Sequence, residues 1–331
     1  MRILVTGGAG YIGSHVVKEL LAAGHEVVVY DNLVKGHREA VVGGVFIEAD
    51  IGDEEKLREA LRGYSVEAVV HLAADTAVGE SMVNPLKYYH NNVVKGLTLL
   101  KAMLEERVRY IVFSSSAAVY GEPEEAPIDE LARKEPTNVY GETKLIFERM
   151  LEAFDRAYGL KYISLRYFNA AGADVSGEIG EDHDPETQLI PIVLQTALGL
   201  RPRLEIFGTD YDTPDGTCIR DYIHVSDLAS AHVLAAEALY RGAQSCAYNL
   251  GNEKGYSVRE VLRTAEAVVG RPIPAVEVGR RPGDPAVLIA SSEKIKRELG
   301  WRPRYPDLET IIRTAWEWHR KHPRGYRTGR G

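Results

Sequence analysis

Apolar positions in the first half of the chain alternate between short continuous runs and longer runs with helical spacing. Short runs rich in Val, Ile and Leu occur at 2–6, 26–30, 45–50, 68–74, 110–113 and 161–166. Runs of this length are typical of parallel strands that are buried on both faces. Helical patterns separate them at 11–23, 53–61, 85–106 and 138–158. This alternation predicts an α/β fold of Rossmann type, in which a doubly wound parallel sheet carries helices on both faces.

The pattern changes after Phe168, where a loop rich in Gly and Asp is followed by shorter helices and strands. Because a single core stops growing near about 250 to 300 residues, we expect this chain of 331 residues to form two lobes. We predict an NAD-binding Rossmann domain at 1–168 and a smaller mixed α/β substrate-binding domain at 169–331. Segments near 218–240 are expected to pack back on the first domain. The basic end at 319–331 is expected to be a loose tail.

A glycine pattern typical of dinucleotide sites lies between the first strand and the first helix. Gly8, Gly10 and Gly13 have the spacing G-x-G-x-x-G, and Gly7, Gly10 and Gly13 are spaced three apart. Such glycines permit a tight turn, close approach of backbone N–H groups to a pyrophosphate, and close packing of the helix on the strand. We therefore expect the cofactor phosphates at the positive end of this helix.

Acidic residues end the second and third strands. A carboxylate at Asp31 can accept hydrogen bonds from an adenosine ribose and repel a 2′-phosphate, so we predict NAD rather than NADP. Asp50, which is followed by Ile51, has two interpretations: a contact with an adenine edge, or the N-cap of the next helix. The fourth strand ends in the small residues Ala73 and Ala74, which suit close approach of a cofactor.

Composition narrows the possible partners. The net charge of −8 argues against nucleic acid as a ligand. Two cysteines, Cys218 and Cys246, and an N-terminus without a signal-like segment predict a reducing, cytoplasmic location. No apolar stretch approaches the roughly 18 residues that a membrane span needs, so no membrane partner is expected. The ten histidines show no ligand spacing, so we predict no metal site, and His183 is interpreted as part of a solvated acidic loop.

Three polar residues are candidates for proton transfer. Ser116 follows the predicted fifth strand, at the sheet edge where open α/β sheets bind ligands. Tyr140 and Lys144 are four apart, so both lie on one helix face. An ammonium and a cationic nicotinamide beside a tyrosine would lower its pKa from about 10 toward neutrality. Tyr140 could then take a hydroxyl proton while hydride leaves for NAD, with Ser116 hydrogen-bonded to the same hydroxyl.

Longer motifs cover nearly the whole chain. In the first domain they are TGGAGYIGSH at 6–15, Asp31-Asn32-Leu33, AVGES at 77–81, YYHNNV at 88–93, SSSAAVYG at 114–121, YGETK at 140–144 and RYFNAAGA at 166–173. In the second they are QLIP at 188–191, FGTDYDTPDGTCIRDYIHV at 207–225 and RRPGDP at 280–285. With these motifs the chain resembles the extended short-chain dehydrogenase/reductase superfamily and, within it, the UDP-glucose 4-epimerase family. The motifs of the second domain are the more specific.

The resemblance implies a redox cycle that leaves no net oxidation. NAD would take hydride from C4 of UDP-glucose or UDP-galactose while Tyr140 takes the hydroxyl proton, and the 4-keto sugar would receive hydride on its other face. The alternative is a 4-epimerase of another nucleotide sugar, a UDP-N-acetylhexosamine or a UDP-uronic acid. Elimination is disfavoured because Ala117, Ala118 and Val119, which cannot donate a proton, follow Ser116. A non-catalytic dinucleotide sensor would not need the three candidate residues together.

The resemblance also implies a cofactor site and a substrate site. It further implies a homodimer, whose interface consists of the helices near 86–106 and 139–158 of each subunit. Implied cofactor contacts are Gly7, Gly10, Tyr11, Ile12, Gly13, Asp31, Asn32, Asp50, Ile51, Leu72, Ala73, Ala74, Asn91, Ser114, Tyr140, Lys144 and Tyr167. Implied substrate contacts are Ser116, Tyr140, Asn169, Gln188, Leu189, Phe207, Arg220, Tyr222, Arg281 and Asp284. The two arginines suit a diphosphate, although Arg281 is open to interpretation as a solvated loop residue.

Two positions depart from the family pattern. Thr76 stands where relatives often carry a lysine near the cofactor. Leu288 occupies the position that gates N-acetylated sugars, and its side chain is intermediate between the bulky and the small residues of relatives.

Overall fold

Strands and helices alternate through the first 170 residues, as the apolar pattern predicts. The computed structural model describes residues 1–123, 125–281 and 284–326. Its strands are β1 (Arg2–Thr6), β2 (Glu26–Asp31), β3 (Val45–Glu48), β4 (Ala68–His71), β5 (Tyr110–Ser116), β6 (Lys161–Tyr167), β7 (Asn169–Ala171), β8 (Leu204–Phe207), β9 (Ile219–His224), β10 (Cys246–Leu250), β11 (Gly255–Ser257), β12 (Ala275–Val278) and β13 (Val287–Leu288).

Helices flank these strands and also form much of the second half of the chain. They are α1 (Tyr11–Ala22), α2 (Glu54–Gly63), α3 (Val78–Val83), α4 (Pro85–Tyr88), α5 (Lys95–Glu105), α6 (Val139–Tyr158), α7 (Leu189–Ala197), α8 (Val225–Tyr240), α9 (Val258–Val269), α10 (Glu293–Leu299) and α11 (Leu308–Lys321). None of these described helices is long and apolar enough to cross a membrane.

Seven parallel strands form the central sheet in the order β3-β2-β1-β4-β5-β6-β10. The chain runs outward from β1 in one direction and then restarts from β4 in the other, which is the doubly wound Rossmann order. The predicted fold class is therefore confirmed. Separate apolar cores cover the two faces of the sheet, and Val5 and Leu4 belong to opposite cores because successive strand residues point to opposite faces.

The second half of the chain contributes to both lobes. Helix α8 packs against α1, β5 and β6, and β10 extends the central sheet beside β6. A smaller sheet is centred on β9, which pairs with β7, β11 and β13, while β8 pairs with β12. A third core, between α7, α9 and α11, supports these strands. The division of the chain at residue 168 stays a prediction.

The helix predicted over 85–106 is interrupted by a π-helical turn at Tyr89–Val94. The wider turn brings two consecutive asparagines to Asp75, in the loop after β4. The Asn91 amide donates to the Asp75 carboxylate at 2.5 Å, and the Asn92 amide donates to its backbone carbonyl at 3.0 Å. Buried polar groups need such partners. These contacts fix the loop that forms one wall of the cleft.

The expectation of a loose tail from residue 319 is wrong for the described residues. His319 is buried within α11, and the buried Tyr326 packs on Trp318 and His37, with ring centroids 5.3 and 5.0 Å apart. Residues 327–331 lie outside the described part of the chain.

Candidate active site

The loop between β1 and α1 depends on glycine at two positions for different reasons. Gly7 has φ of +72°, and a Cβ there would lie 2.7 Å from the Ala73 nitrogen. A Cβ at Gly13 would overlap the Gly7 carbonyl oxygen. At Gly10 a Cβ would meet only the Gly7 carbonyl, at 3.4 Å. Glycine at 7 and 13 therefore lets the segment after β4 and the start of α1 pack close to the turn. The space next to Gly10 is open.

The N-terminus of α1 is open to an anion. Its N-cap, Gly10, has no side chain to accept a hydrogen bond, and its first turn carries no acidic residue. Backbone N–H groups in such a turn lack partners and carry the positive end of the helix dipole. These features fit the pyrophosphate of a dinucleotide.

Asp31 and Asp50 are held in place by hydrogen bonds at the ends of β2 and β3. The buried Asp31 carboxylate accepts the N–H groups of Ala9 at 3.0 Å and Leu33 at 2.8 Å. Asp50 accepts from the Asn32 amide at 2.8 Å. The N-cap of α2 is Asp53, so the interpretation of Asp50 as the N-cap is wrong.

A single cavity joins these features. Ten of the predicted cofactor contacts line it: Gly7, Gly10, Asp31, Asn32, Asp50, Ile51, Leu72, Ala73, Ala74 and Asn91. It is also lined by residues that the sequence did not indicate, among them Lys35, Asp75 and Lys95. Lys95 donates to Asp50 at 2.9 Å. A buried carboxylate beside an open glycine turn fits a ribose and a pyrophosphate, so this wall of the cleft accommodates NAD.

The ends of β5 and α6 bring Ser116, Tyr140 and Lys144 together. The Lys144 ammonium donates to the Ser114 carbonyl at 2.8 Å and lies 5.7 Å from the centroid of the Tyr140 ring. Ser116 ends β5, where its hydroxyl accepts the Ala118 N–H at 3.1 Å and lies close enough to the Tyr140 phenol to lower the pKa of that phenol. The neighbouring hydroxyls of Ser114 and Tyr167 are also hydrogen-bonded to each other.

Burial shifts the pKa values of both Tyr140 and Lys144. It raises the pKa of Tyr140, and the Ser116 hydrogen bond only partly opposes this shift. It lowers the pKa of the Lys144 ammonium to about 7. In the chain without NAD, desolvation disfavours the charged form of each group, and the lowering of the Tyr140 pKa by Lys144 and the cationic nicotinamide together stays a prediction.

The start of α6 is positioned by residues that the sequence did not single out for this role. The Tyr140 N–H donates to the Ser81 hydroxyl at 3.2 Å, and Asn138 caps the helix. A Cβ at Gly141 would overlap the Ala118 carbonyl. The motifs AVGES and YGETK thus place Tyr140 beside the turn that follows Ser116.

Four of the predicted substrate contacts, Asn169, Arg220, Tyr222 and Asp284, lie on β9 or beside it. Asn169 of β7 is the register partner of Tyr222, and Leu288 of β13 is the register partner of Arg220. An Arg220 Nη atom lies 3.6 Å from an Asp284 carboxylate oxygen. Leu288 also packs in one apolar cluster with Val119, Tyr120 and Phe168, so it lies beside the segment that follows Ser116.

The two adjacent arginines at 280–281 behave differently. Arg280 pairs with Asp210 at 2.7 Å and lies over the Tyr211 ring. The Arg281 guanidinium is exposed and lies 4.5 Å from the centroid of the Phe207 ring, so its interpretation as a solvated loop residue stays open. At the start of α7, Gln188 is the exposed N-cap and Leu189 is half-buried.

The acidic loop at 181–184 is not solvated as predicted. Glu181 is buried, and its Oε1 atom lies 3.2 Å from His183 Nδ1. The preceding Gly180 packs directly on the Trp318 ring of α11, where a Cβ would overlap the ring. This contact joins segments far apart in the chain, so the local sequence carries no sign of it.

Comparison with known proteins assigns the chain to a family. Residues 3–251 match the sequence model of the NAD dependent epimerase/dehydratase family. The chain belongs to this family. The resemblance predicted from the motifs is thereby confirmed, and so is NAD as the cofactor.

Members of the epimerase family match this chain over almost its full length. The UDP-glucose 4-epimerase of Halalkalibacterium halodurans is 58% identical over 99% of this chain and 98% of its own. The Brucella ovis UDP-glucose 4-epimerase in complex with NAD is 50% identical, with a TM-score of 0.93 over 95% of this chain and 97% of its own. A Stenotrophomonas maltophila UDP-glucose 4-epimerase with bound NAD and formylated UDP-arabinopyranose is 42% identical, with a TM-score of 0.95 over 98% and 99%.

Proposed function

We propose that this chain is an NAD-dependent isomerase that interconverts UDP-glucose and UDP-galactose by epimerisation at C4. The observation that carries the proposal is the meeting of Ser116, Tyr140 and Lys144 at the sheet edge, beside a dinucleotide cavity. Its relatives that bear the name UDP-glucose 4-epimerase support the choice of substrate.

The cofactor half of the cleft holds NAD in one orientation. Asp31 accepts the hydroxyls of the adenosine ribose, and the N-terminus of α1 at Gly10 receives the pyrophosphate. When bound, NAD supplies a hydride acceptor that later returns the hydride, and its oxidised nicotinamide carries a positive charge.

Proton transfer is the task of the chain itself. Tyr140 takes the proton of the sugar 4-hydroxyl, and Ser116 hydrogen-bonds the same oxygen and keeps it near the phenol. Lys144 lies close enough to Tyr140 to favour the phenolate when it is charged. After the 4-keto sugar turns over, Tyr140 would return the proton to the oxygen at C4. Each cycle therefore leaves the oxidation state of sugar and cofactor unchanged.

The sugar nucleotide occupies the half of the cleft built on β9. Arg220 and Arg281 bind its diphosphate through charge-assisted hydrogen bonds. Phe207, Asn169, Gln188, Leu189, Tyr222 and Asp284 complete the contacts. Thr76, which is exposed in the loop after β4, offers no positive charge to the cofactor.

An isotope experiment tests the redox cycle. UDP-galactose that carries deuterium at C4 is incubated with the protein in ordinary water, and the UDP-glucose formed is analysed by NMR. We expect the deuterium to stay at C4, because the hydride passes to and from a cofactor that remains bound. Loss of the label to solvent would contradict the proposed cycle and indicate exchange through a carbanion.

We also propose a homodimer in the cytoplasm. The helices α3 to α5 carry a series of exposed apolar side chains, Met82, Leu86, Val94 and Leu97, which a second copy of α5 and α6 would cover. Both cysteines are free thiols, which suits a reducing compartment. Light scattering coupled to size-exclusion chromatography tests the dimer, with a monomeric mass as the contradictory result.

A further inference from the structure

A compact group of one imidazole and two carboxylates lies outside the catalytic cleft, between α1 and α11. Glu181 and Glu186 are 4% and 7% exposed. The Nδ1 atom of His183 lies 3.2 Å from Glu181 Oε1 and 3.7 Å from Glu186 Oε2. One ligand atom from each of the three residues lies within 4.8 Å of the others. Nitrogen and oxygen atoms therefore converge on a common point.

Glu186 supplies a second and independent observation that points to a cation. Its Oε1 atom accepts the N–H groups of Thr187 and Gln188, each at 2.8 Å, so the carboxylate is fixed. Its Oε2 atom is buried and has no hydrogen-bond partner among the described residues. Leaving a carboxylate oxygen buried without a donor is costly. This oxygen is directed at His183, where a bound cation would satisfy it.

A cavity connects this group with the surface. Besides Glu181 and His183 it is lined by His37, Trp318, His319 and His322. The cavity gives an ion an access path and leaves room for water to complete its coordination.

We propose that Glu181, His183 and Glu186 form a binding site for one divalent transition-metal ion, for which Zn²⁺ is the best match. Ligand atoms at about 2.0 to 2.1 Å from tetrahedral Zn²⁺ are about 3.3 to 3.5 Å apart. The observed separations of 3.2 and 3.7 Å bracket this spacing. An imidazole favours Zn²⁺ over Mg²⁺ or Ca²⁺, which prefer oxygen ligands alone.

The position of the site gives the ion a structural role. The His183 ring lies 6.1 Å from the ring of Tyr11, whose hydroxyl donates to the Gly172 carbonyl at 2.6 Å. Lys18 of α1 also pairs with Asp174, at 2.8 Å. The three ligands all lie between β7 and α7, so a bound ion would fix the conformation of this segment, which packs through His183 on Tyr11 of α1. Because it binds the folded chain, it would also raise the melting temperature.

The test uses full-length protein without an affinity tag, stripped with a chelator and titrated with Zn²⁺ against a chromophoric competitor. We expect one equivalent per chain and a higher melting temperature with Zn²⁺. Glu186→Gln and His183→Gln should each weaken binding by at least about 100-fold and abolish the thermal shift, because each removes a metal ligand. The controls, Glu178→Gln in the same loop and His90→Gln on the surface, should bind Zn²⁺ like the parent.

Two results would overturn the proposal. One is a parent protein that binds no Zn²⁺, which would mean that a protonated His183 alone pairs with the carboxylates. The other is Zn²⁺ binding that is unchanged in both ligand variants, which would place the ion elsewhere. If Glu186→Gln fails to fold, the half-buried His183→Gln decides the question by the same titration. None of these measurements depends on epimerase activity.

Discussion

The cofactor half and the sugar-nucleotide half of the cleft consist of different kinds of groups. The cofactor half consists of backbone turns and short side chains at the ends of β1, β2 and β4, which are neighbours in one sheet. The sugar-nucleotide half consists of long side chains, such as Arg220 and Arg281, which come from strands and loops far apart in the chain. In the proposed function, the first half recognises NAD by shape and backbone hydrogen bonds, and the second recognises the sugar nucleotide by charge.

This difference separates the effects that substitutions should have. A change in the cofactor half should alter the amount of NAD that the protein carries. A change in the nucleotide half should alter KM for the sugar nucleotide and leave NAD in place. Tyr140 lies where the halves meet, so its loss should affect turnover alone.

Tyr140→Phe should have the largest effect. We expect kcat to fall by about 10²- to 10⁴-fold, because the phenol that moves the proton is removed. NAD content and KM should stay near the parent values. Stopped-flow or coupled assays give kcat, and the nucleotide released on denaturation gives the NAD content. A parent rate in this variant would remove Tyr140 from the catalytic step.

Gly7→Ala tests the shape of the cofactor half. The new Cβ would lie 2.7 Å from the Ala73 nitrogen, so we expect NAD content to fall by at least about tenfold, together with a loss of stability of about 1 to 3 kcal/mol from the strained φ. Gly24→Ala is the matched control, because its φ is +81° and a Cβ there meets nothing within 4 Å. Equal NAD loss in both variants would show that backbone strain, not the close approach, is responsible.

Arg281→Met tests the charge of the nucleotide half. Loss of a charge-assisted hydrogen bond of about 1.5 to 3 kcal/mol should raise KM about 10- to 100-fold, with NAD content unchanged. Arg280→Met is the control, because Arg280 is already paired with Asp210. If Arg280→Met raises KM as much as Arg281→Met does, the two arginines do not differ in function.

Lys144→Met tests the effect of burying the Lys144 ammonium beside Tyr140, where the two halves of the cleft meet. Burial lowers the pKa of Lys144 to about 7, whereas the unfolded chain keeps the ordinary value of about 10.4. Between these values the unfolded state binds more protons, so stability rises with pH, by at most about 1.4 kcal/mol per pH unit. Below about pH 7 Lys144 is charged in both states, so the buried ammonium lowers the free energy of unfolding by its full amount. Urea unfolding of the nucleotide-free proteins from pH 6 to 10 should show this rise in the parent and not in the variant.

Leu288→Ala should have the smallest effect. The register of β13 places Leu288 beside Arg220, and its side chain packs against the apolar cluster that contains Val119 and Tyr120. A smaller side chain leaves space for an N-acetyl group, so we expect kcat/KM for UDP-N-acetylglucosamine to rise about 10-fold, the low end of the range that one methylene contributes in a pocket. If the ratio of kcat/KM for UDP-N-acetylglucosamine to kcat/KM for UDP-glucose is unchanged, this position does not control the entry of N-acetylated sugars.

The sequence predicted the parts of the molecule that depend on neighbouring residues. The glycine turn, Asp31 and the Tyr140-Lys144 pair lie within single strand, turn or helix patterns, so their placement follows from local geometry. Ser81, which receives the Tyr140 N–H, and Asn92, which binds the loop after β4, act across contacts between distant elements. Their partners are fixed only when the sheet assembles.

Burial was the property that the sequence predicted least well. The charged loop around His183 and the residues near Tyr326 are polar or basic in sequence, yet α11 and Trp318 cover them. The burial that raises the pKa of Tyr140 in the chain without NAD is a further example, because the number of atoms that surround a phenol cannot be predicted from its neighbours in the chain. Local patterns indicate which groups are present, and packing decides their charge.

The most direct test is the conversion of UDP-galactose to UDP-glucose by purified protein with no NAD added, together with the nucleotide released on denaturation. We expect turnover without added cofactor and close to one NAD per chain. Failure to convert either sugar nucleotide, with or without added NAD, would contradict the assignment of a UDP-glucose 4-epimerase activity to this chain.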